Sequence, residues 1–230
     1  MQNHDALKNY LAQIGVSLDD GKISVLLAYC DKVLDANKKF NLTAITDKND
    51  FLIKHIADSL VGISEIPLGA SVCDVGAGAG FPSFPIAVAR DDVSVTALDS
   101  TAKKTAFISE SATELGVNNI KTVAGRAEEQ TKLFGSFDVV TARAVSSLNI
   151  LLEIGLPLLK VSGFAVFYKT DESELTGAAN ALKTLGAEHI KTKFAKLPNG
   201  DSRAILVFKK TRETPKQYPR QYGAIKKKPL

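Results

Sequence analysis

Apolar residues recur at helical spacing through the first 66 residues of the chain. The three series occupy positions 7–14, 23–34 and 51–63. Gly15 separates the first series from the second, and Ser17, which is followed by acidic residues, is the expected N-cap of the second helix. We therefore expect residues 1–66 to form an N-terminal helical extension that packs on the main domain.

After these helices the pattern changes to short apolar runs that alternate with amphipathic segments. The runs occupy 71–75, 93–99, 120–125, 137–142 and 163–169, and helical patterns lie near 82–90, 102–115, 126–133, 147–159 and 172–185. This alternation predicts an α/β fold with a mostly parallel sheet in a main domain over 67–210. Two further runs, 189–195 and 203–209, flank Asn199-Gly200, a hairpin signal, so we expect the last strand to be antiparallel.

The two cysteines of the 230-residue chain, Cys30 and Cys73, lie in apolar stretches with no CxxC spacing and no histidine cluster. We expect neither a disulfide framework nor a metal site, and we interpret both as reduced core residues of a cytoplasmic protein. The sequence has no run of about 18 apolar residues and no basic segment followed by an apolar one at its start. We therefore expect no membrane span and no export signal.

Positive charge is concentrated at the end of the chain. The formal net charge is +4, yet residues 209–230 alone carry eight Lys or Arg and one Glu. One interpretation of the basic tail, 211–230, is a solvated and poorly ordered terminus. The other is contact with a polyanion, which the interleaved Tyr218 and Tyr222 favour because nucleic-acid binders combine basic and aromatic side chains.

Three glycines at alternate positions follow the first strand, in the stretch DVGAGAGFP at 74–82. Gly76, Gly78 and Gly80 fall in the first strand-to-helix turn, where parallel sheets bring the backbone closest to a ligand. Without a Cβ, each can take unusual dihedral angles and let a ligand rest on the main chain. The alternative is a turn that only packs the helix on the strand.

The spacing of the glycines argues against a dinucleotide. Phe81 stands where the G-x-G-x-x-G pattern has its third glycine. Asp74 places a carboxylate near a ligand that should be neutral or cationic there, and Asp99, which ends the second strand, can accept hydrogen bonds from ribose hydroxyls. The alternative role for Asp99 is the N-cap of helix 102–115. The two carboxylates favour an adenosyl ligand with a cationic amino group, such as S-adenosylmethionine.

Several segments together resemble one family. They are NLTAI (41–45), HIADSL (55–60), DVGAGAGFP (74–82), LDSTAKKTAFI (98–108), GRAEE (125–129), FDVVTARAV (137–145), PLLK (157–160) and YPRQYGAIKKKPL (218–230). From about residue 37 to the C-terminus the chain resembles the small-subunit ribosomal RNA guanine-N7 methyltransferases, the RsmG or glucose-inhibited division protein B family. The resemblance implies a Rossmann-like class I methyltransferase that transfers a methyl group from S-adenosylmethionine to N7 of one guanine of 16S RNA, near the decoding site.

The resemblance and the loop together give a set of candidate cofactor-binding residues. The set is Asp74, Gly76, Gly78, Gly80, Phe81, Asp99, Ser100, Ala127, Glu128 and Arg143. Three of them have ordinary alternatives: Phe81 as core, Glu128 as an exposed helix residue and Arg143 as a surface ion pair. The chain departs from the family pattern at Ser83, where FPSFP replaces FPGIP, and at Lys169, to which we assign no role.

Transfer to N7 requires no general base, because the in-plane lone pair of guanine N7 is free at neutral pH. We therefore name no catalytic base, nucleophile or metal ligand, and expect rate enhancement from positioning. Methylation at carbon would need a cysteine nucleophile, whereas Cys73 belongs to a strand interior and Cys30 to a helix. Adenine N6 methylation usually goes with a proline pair after the fourth strand, where this chain has TARA.

Contacts to RNA are expected from polar and basic residues outside the glycine loop. The candidates are Lys38, Lys39, Asn41, His55, Arg220, Lys226, Lys227 and Lys228. The alternative for His55 is a simple helix pair with Asp58, one turn away. The implied partner is 16S ribosomal RNA or the 30S particle, and we expect a monomer.

Other functional classes remain open from the residues alone. The same fold could methylate a small molecule or a protein, with the tail as a solvated extension. An NAD-dependent oxidoreductase is disfavoured by Phe81. A non-catalytic ribosome-assembly factor would bind RNA without transferring a methyl group.

Overall fold

A single seven-stranded sheet organises the computed structural model, which describes residues 2–230. The strands are β1 (Ser71–Val75), β2 (Ser94–Asp99), β3 (Ile120–Ala124), β4 (Phe137–Arg143), β5 (Leu159–Lys169), β6 (Ala187–Lys196) and β7 (Ser202–Lys210). Their order is β3-β2-β1-β4-β5-β7-β6. The first five run parallel, and β7 is antiparallel to both of its neighbours.

The sheet confirms the predicted mostly parallel architecture with an antiparallel last strand. Val72 and Cys73 in β1 are fully buried, because parallel central strands are covered on both faces. The turn between β6 and β7 contains Gly200 at φ +90°, a left-handed conformation that glycine adopts without a Cβ penalty. The predicted hairpin at Asn199-Gly200 is therefore confirmed.

Helices precede the sheet, as the periodicity predicts. They are α1 (Gln2–Gln13), α2 (Asp20–Asn37), α3 (Lys48–Phe51), a π-helix (Leu52–Ala57) and α4 (Asp58–Leu60). The predicted N-cap of α2, Ser17, is wrong. Asp19 holds that position, and its carboxylate accepts a hydrogen bond from Lys22 N at 2.9 Å. A carboxylate at this position satisfies a free backbone donor and also complements the positive end of the helix dipole.

The remaining helices connect the strands or follow them. They are α5 (Ser83–Ala89), α6 (Ala102–Glu114), α7 (Leu148–Gly155), α8 (Ala179–Leu185) and α9 (Tyr222–Lys227). The helix predicted over 126–133 is instead two short 3₁₀ turns, because Gln130 between them has φ −85° and ψ 57°. The helix predicted over 172–185 likewise begins as a 3₁₀ segment, Ser173–Ala178.

The N-terminal helices share one hydrophobic cluster with α5 and the glycine loop. Tyr29 of α2 stacks on Phe84 of α5 with the ring centres 3.5 Å apart. Its hydroxyl donates a hydrogen bond to Ala79 O at 2.7 Å. The helical segment is thereby joined directly to the loop after β1.

The basic tail is packed on the sheet domain and is not a solvated terminus. Ile225 of α9 is fully buried, and Tyr218 and Tyr222 pack against the cluster that contains α7. Cys30 and Cys73 are buried free thiols, as expected. None of the helices in residues 2–230 combines the length and apolar character needed to cross a bilayer.

Candidate cofactor site

The glycine loop continues β1 with a backbone that only glycine accepts easily. Gly76, Gly78 and Gly80 have φ of +70°, +58° and +84°. At Gly76 space is limiting as well, because an added Cβ would lie 2.6 Å from Val145 Cγ2. The backbone N–H of Gly76 donates to Leu98 O at 2.8 Å, which holds the loop against the end of β2.

Asp99 connects the glycine loop to the start of α6. Its Oδ2 accepts a hydrogen bond from Gly78 N at 2.9 Å, and its Oδ1 accepts one from Thr101 N at 2.8 Å. Thr101 itself is the N-cap residue of α6, so Asp99 is not the cap of that helix. Each carboxylate oxygen keeps a further lone pair that can accept a hydrogen bond.

A cavity of about 120 Å³ lies between this loop and the ends of the neighbouring strands. Its lining residues are Val75, Gly76, Leu98, Asp99, Ser100, Gly125, Arg126, Ala127, Glu128, Val145, Ile154 and Tyr222. Five of the predicted cofactor residues therefore line the same cavity: Gly76, Asp99, Ser100, Ala127 and Glu128. Gly78 reaches the same site through its hydrogen bond to Asp99.

Glu128 lines this cavity, and one of its carboxylate oxygens is buried without a hydrogen-bond partner. Its side chain is only 5% exposed, and Oε1 has no hydrogen-bond partner within residues 2–230. The nearest cationic atom, Arg126 Nη1, is 4.0 Å away. A buried carboxylate oxygen without a donor is costly, so the arrangement fits a ligand that supplies an N–H or O–H group. The alternative interpretation of Glu128 as an exposed helix residue is wrong.

Asp74 does not line the cavity. It is fully buried, and its two oxygens accept hydrogen bonds from Ser83 N and Thr141 Oγ1, both at 3.0 Å. Burial raises the pKa of this carboxyl to about 7. Asp74 thus fixes the start of α5 against β4 and does not face a ligand directly. Ser83, whose Cβ departs from the family pattern, is itself fully buried.

Phe81 and Gly80 also lie behind the cavity and do not line it. Phe81 is 5% exposed, and its ring stacks on His55 with the ring centres 4.7 Å apart and an interplanar angle of 13°. A Cβ on Gly80 would collide with the Tyr29 hydroxyl. Both residues therefore support the loop from the side of the N-terminal helices, as the core interpretation of Phe81 expects.

Arg143 points toward the N-terminal helices. Its guanidinium donates to Asp58 Oδ2 at 2.9 Å and to Lys54 O at 2.7 Å, and lies 3.1 Å from His55 Nδ1. Arg203 donates to the other oxygen of Asp58 at 2.8 Å. The predicted His55–Asp58 helix pair is thus wrong, because Arg143 bonds to both residues. The ion pair between Arg143 and Asp58 is buried, so the interpretation of Arg143 as part of a surface ion pair is wrong.

His55 is held neutral in this network. Burial, reinforced by the charge of Arg143, lowers its pKa to about 3. Its Nε2 lies 2.7 Å from Thr43 Oγ1, in the loop after α2. Both ring nitrogens therefore have internal partners, so neither is available for a contact with RNA.

The other RNA candidates fall into two exposed groups and one residue, Arg220, that is held in an ion pair. Lys38, Lys39 and Asn41 are exposed after the end of α2, and the basic run 226–228 is exposed on and after α9. Arg220 differs, because its guanidinium donates to both carboxylate oxygens of the buried Glu153, at 2.8 and 2.6 Å. It is therefore not free to bind a phosphate.

Sequence reasoning missed several residues that line the cavity, among them Arg126, Val145 and Tyr222. Arg126 and Val145 lie in loops after β3 and β4, beside residues that were predicted. Tyr222 comes from the tail, 68 or more residues beyond every other lining residue, and the carbon of the Arg126 guanidinium lies 5.2 Å from its ring centre. Its aromatic character was the only signal available.

Comparison with solved structures finds the same fold in other proteins. The TYW2 protein of M. jannaschii in complex with AdoMet superposes with a TM-score of 0.56 at 16% identity, over 68% of this chain and 76% of that one. The B. subtilis M1A22 tRNA methyltransferase TrmK gives a TM-score of 0.55 at 17% identity, over 70% of this chain and 68% of that one. At these identities the likeness establishes the fold alone.

Sequence comparison finds relatives that are far more similar to this chain. Proteins named ribosomal RNA small subunit methyltransferase G from Lactobacillus johnsonii and Streptococcus pyogenes serotype M4 are 40% and 42% identical to this chain. The alignments cover 99% of this chain and 100% of the first relative, and 96% of both chains for the second. The family model GidB, described as rRNA small subunit methyltransferase G, matches residues 22–205. The chain belongs to the rRNA small subunit methyltransferase G family.

Proposed function

We propose that this protein transfers a methyl group from S-adenosylmethionine to N7 of one guanine of 16S ribosomal RNA, near the decoding site. Family membership over nearly the whole chain supports an enzyme that acts on small-subunit RNA. The observation that carries the cofactor assignment is the buried, unpartnered Oε1 of Glu128 in the same cavity as Asp99.

The residues of the cavity fit an adenosyl group. Glu128 can accept a hydrogen bond from an exocyclic amine, and the free lone pairs of Asp99 can accept them from ribose hydroxyls. The bare backbone at Gly76 lets a ligand approach the main chain. S-adenosylmethionine, when bound, supplies a methyl group on a sulfonium, and the chain contributes binding and orientation.

The cavity is small for a whole nucleoside, so some of its lining side chains must move when one binds. Its volume of about 120 Å³ is below the ~300–1,000 Å³ of typical small-molecule sites. Val145 lies in the loop after β4 and Tyr222 lies in the tail, whereas the other lining residues lie in strand ends, turns, a 3₁₀ segment and α7. We infer that these two side chains turn aside for a whole nucleoside.

Two ionisable groups beside the loop, His55 and Asp74, are not available as general bases, which supports a nucleophile that needs none. His55 and Asp74 already have internal hydrogen-bond partners on both polar atoms. Burial raises the pKa of the Cys30 thiol to about 12 and raises that of Cys73 further. Neither thiol can form the covalent intermediate that methylation at carbon requires. Guanine N7 is nucleophilic as it stands, and catalysis then consists of alignment.

We further propose that the substrate is presented as a 30S particle or its RNA, and that the enzyme acts as a cytoplasmic monomer. Two free buried thiols suit a reducing compartment.

Methylation of small subunits that lack the modification tests the proposal. Labelled S-adenosylmethionine, the protein and unmethylated 30S particles are incubated, and the labelled base is located by borohydride and aniline cleavage, which is specific for N7-methylguanine. We expect one labelled guanine in 16S RNA. Label on ribosomal protein, on another base or on added small molecules would contradict the proposed substrate, and binding of NAD by calorimetry would contradict the cofactor.

A further inference from the structure

A second, larger groove lies between the end of α2 and the first turns of α6. Its volume is about 520 Å³, and its lining residues are Lys32, Asp35, Ala36, Lys38, Lys39, Phe40 and Phe107. The rings of Phe40 and Phe107 form its aromatic floor, with ring centres 6.2 Å apart and an interplanar angle of 77°. Both rings are only half-buried, so part of each aromatic surface is open to the groove.

The rim of this aromatic groove is basic. Three lysines line it, and Lys103 of α6 places its Nζ 4.2 Å from the centre of the Phe40 ring. The acidic groups facing these lysines are Asp35, which binds Lys38 at 2.7 Å, and Glu114, which binds Lys32. Lys39 and Lys103 have no carboxylate within salt-bridge distance in the described part of the chain. The groove therefore carries net positive charge.

The aromatic groove is adjacent to the glycine loop. Helix α6 begins at Ala102, directly after the wall of the cofactor cavity formed by Asp99 and Ser100. Tyr29, whose ring centre is 6.1 Å from that of Phe107, donates its hydroxyl hydrogen bond to Ala79 in the loop. A chain that reaches the cofactor cavity could thus extend into the aromatic groove along the same edge of the sheet.

We propose that the aromatic groove binds an unpaired nucleotide of the substrate RNA that flanks the methylated base. This inference rests on the proposed function, because it takes RNA as the substrate. Single-stranded RNA is bound where bases can stack on aromatic side chains and phosphates can meet lysines, and the groove offers both. The base contacts Phe40, and the flanking phosphates contact Lys39 and Lys103. An apolar peptide would gain nothing from the unpaired lysines, whereas an RNA strand neutralises them.

A charge-neutralised double variant tests the phosphate contacts without disturbing the core. Lys39→Gln/Lys103→Gln should weaken binding to unmethylated 30S particles and flatten the salt dependence of log K by about 1.4, at about 0.7 per lost contact. The matched control is Lys121→Gln/Lys183→Gln, which removes the same charge at exposed positions on β3 and α8. Equal slopes for the two double variants would overturn the proposal.

Phe40→Leu tests stacking, since leucine keeps an apolar side chain but loses the aromatic face. We expect RNA binding to weaken by about tenfold, with the affinity for S-adenosylmethionine unchanged as proof of folding. In parallel, 30S particles substituted with 4-thiouridine are irradiated with the wild-type protein. Cross-links from 16S RNA to peptides that contain 38–40 or 103–107 are expected. Cross-links of these peptides to a ribosomal protein only, or no cross-links with unchanged Phe40→Leu affinity, would refute it.

The methylation assay distinguishes failure of this inference from failure of the proposed function on which it rests. If the wild-type protein labels N7 of guanine while all the groove variants bind and react like wild type, only the groove assignment fails. If the wild-type protein labels no guanine in 16S RNA, the proposed function fails as well.

Discussion

Arg220 in the tail and Glu153 in α7 form a two-point ion pair, with Arg220 Nε and Nη2 at 2.8 and 2.6 Å from the carboxylate oxygens. The backbone N–H of Arg220 donates to the same carboxylate at 3.0 Å. The Glu153 side chain is fully buried, whereas that of Arg220 is 27% exposed. Glu153 of α7 thus fixes the tail segment that contains Tyr222, which lines the candidate cofactor cavity.

Replacing Glu153 by glutamine should loosen the tail. The change removes the charge that holds Arg220, and hydrogen bonds to charged groups contribute about 1.5–3 kcal/mol each. Because Arg220 can partly turn to water, we expect the free energy of unfolding in urea to fall by about 2–3 kcal/mol and the tail to become sensitive to trypsin. Glu110→Gln, at an exposed site on α6, serves as control. A stable, protease-resistant Glu153→Gln protein would show that the pair does not anchor the tail.

Gly76→Ala should destabilise the protein by more than backbone strain alone. Gly76 and Gly116 share φ +70°, but a Cβ on Gly116 meets nothing within 4 Å, whereas one on Gly76 meets Val145. A left-handed alanine costs about 1–2 kcal/mol, and this cost applies to both variants. The difference in thermal stability between Gly76→Ala and Gly116→Ala therefore measures the contact with Val145. Addition of Val145→Ala should abolish that difference, and its persistence would contradict the assigned clash.

The contrast between these sites shows what the sequence could predict. The glycine loop, the alternation of strands and helices and the antiparallel last strand follow from local patterns, and the structure confirms the fold. The orientation of a side chain depends on partners that are distant in sequence. Asp74 bonds to Thr141, and Arg220 bonds to Glu153, each 67 positions away.

The positions of aromatic and charged side chains likewise depend on residues that are distant in sequence. Tyr222 was predicted as part of a polyanion-binding or solvated tail, yet it lines the cofactor cavity because Ile225 and Arg220 anchor its segment. Arg143 is the last residue of β4, close in sequence to the cavity residue Val145, but its guanidinium binds Asp58 in the N-terminal helical segment. No local pattern contains that information.

Two buried groups should give opposite pH dependences of stability. The folded pKa of Asp74, about 7, lies above its unfolded value of about 3.9, so the folded state holds an extra proton and stability falls as pH rises from about 4 to 7. The folded pKa of His55, about 3, lies below its unfolded value of about 6.5, so stability falls as pH drops from about 6.5 to 3. In the wild-type protein the two slopes largely cancel between about pH 4 and 6.5.

A variant that lacks one of the two groups should show the pH dependence that the other group causes. Urea unfolding of Asp74→Asn should show stability rising with pH up to about 6.5, because only His55 remains. His55→Gln should show stability falling with pH between about 4 and 7. Each slope is at most about 1.4 kcal/mol per pH unit. Parallel pH profiles for the two variants would contradict the assignment.

Asp99→Ala should separate cofactor binding from RNA binding. The variant loses the carboxylate proposed to accept ribose hydroxyls and the bonds that hold Gly78 and Thr101. Loss of one charge-assisted hydrogen bond alone weakens affinity by about 10- to 100-fold, so calorimetry should show at least that loss for S-adenosylmethionine. Affinity for 30S particles should be unchanged, and Asp91→Ala, at an exposed site, is the control. Methyl transfer at the wild-type rate would exclude Asp99 from the site, whereas loss of transfer with RNA binding retained would argue against a non-catalytic assembly factor.

The tail lysines should contribute to RNA binding through charge alone. Lys226, Lys227 and Lys228 are exposed at and after the end of α9, and the first residue of α9, Tyr222, lines the candidate cofactor cavity. The triple glutamine variant should bind 30S particles more weakly, with a salt slope flatter by about 0.7 per lost contact. Its affinity for S-adenosylmethionine should match wild type, because Tyr222 and Arg220 are retained. If the slope is unchanged, the lysines face solvent in the complex, and the aromatic groove with its own lysines must supply the phosphate contacts.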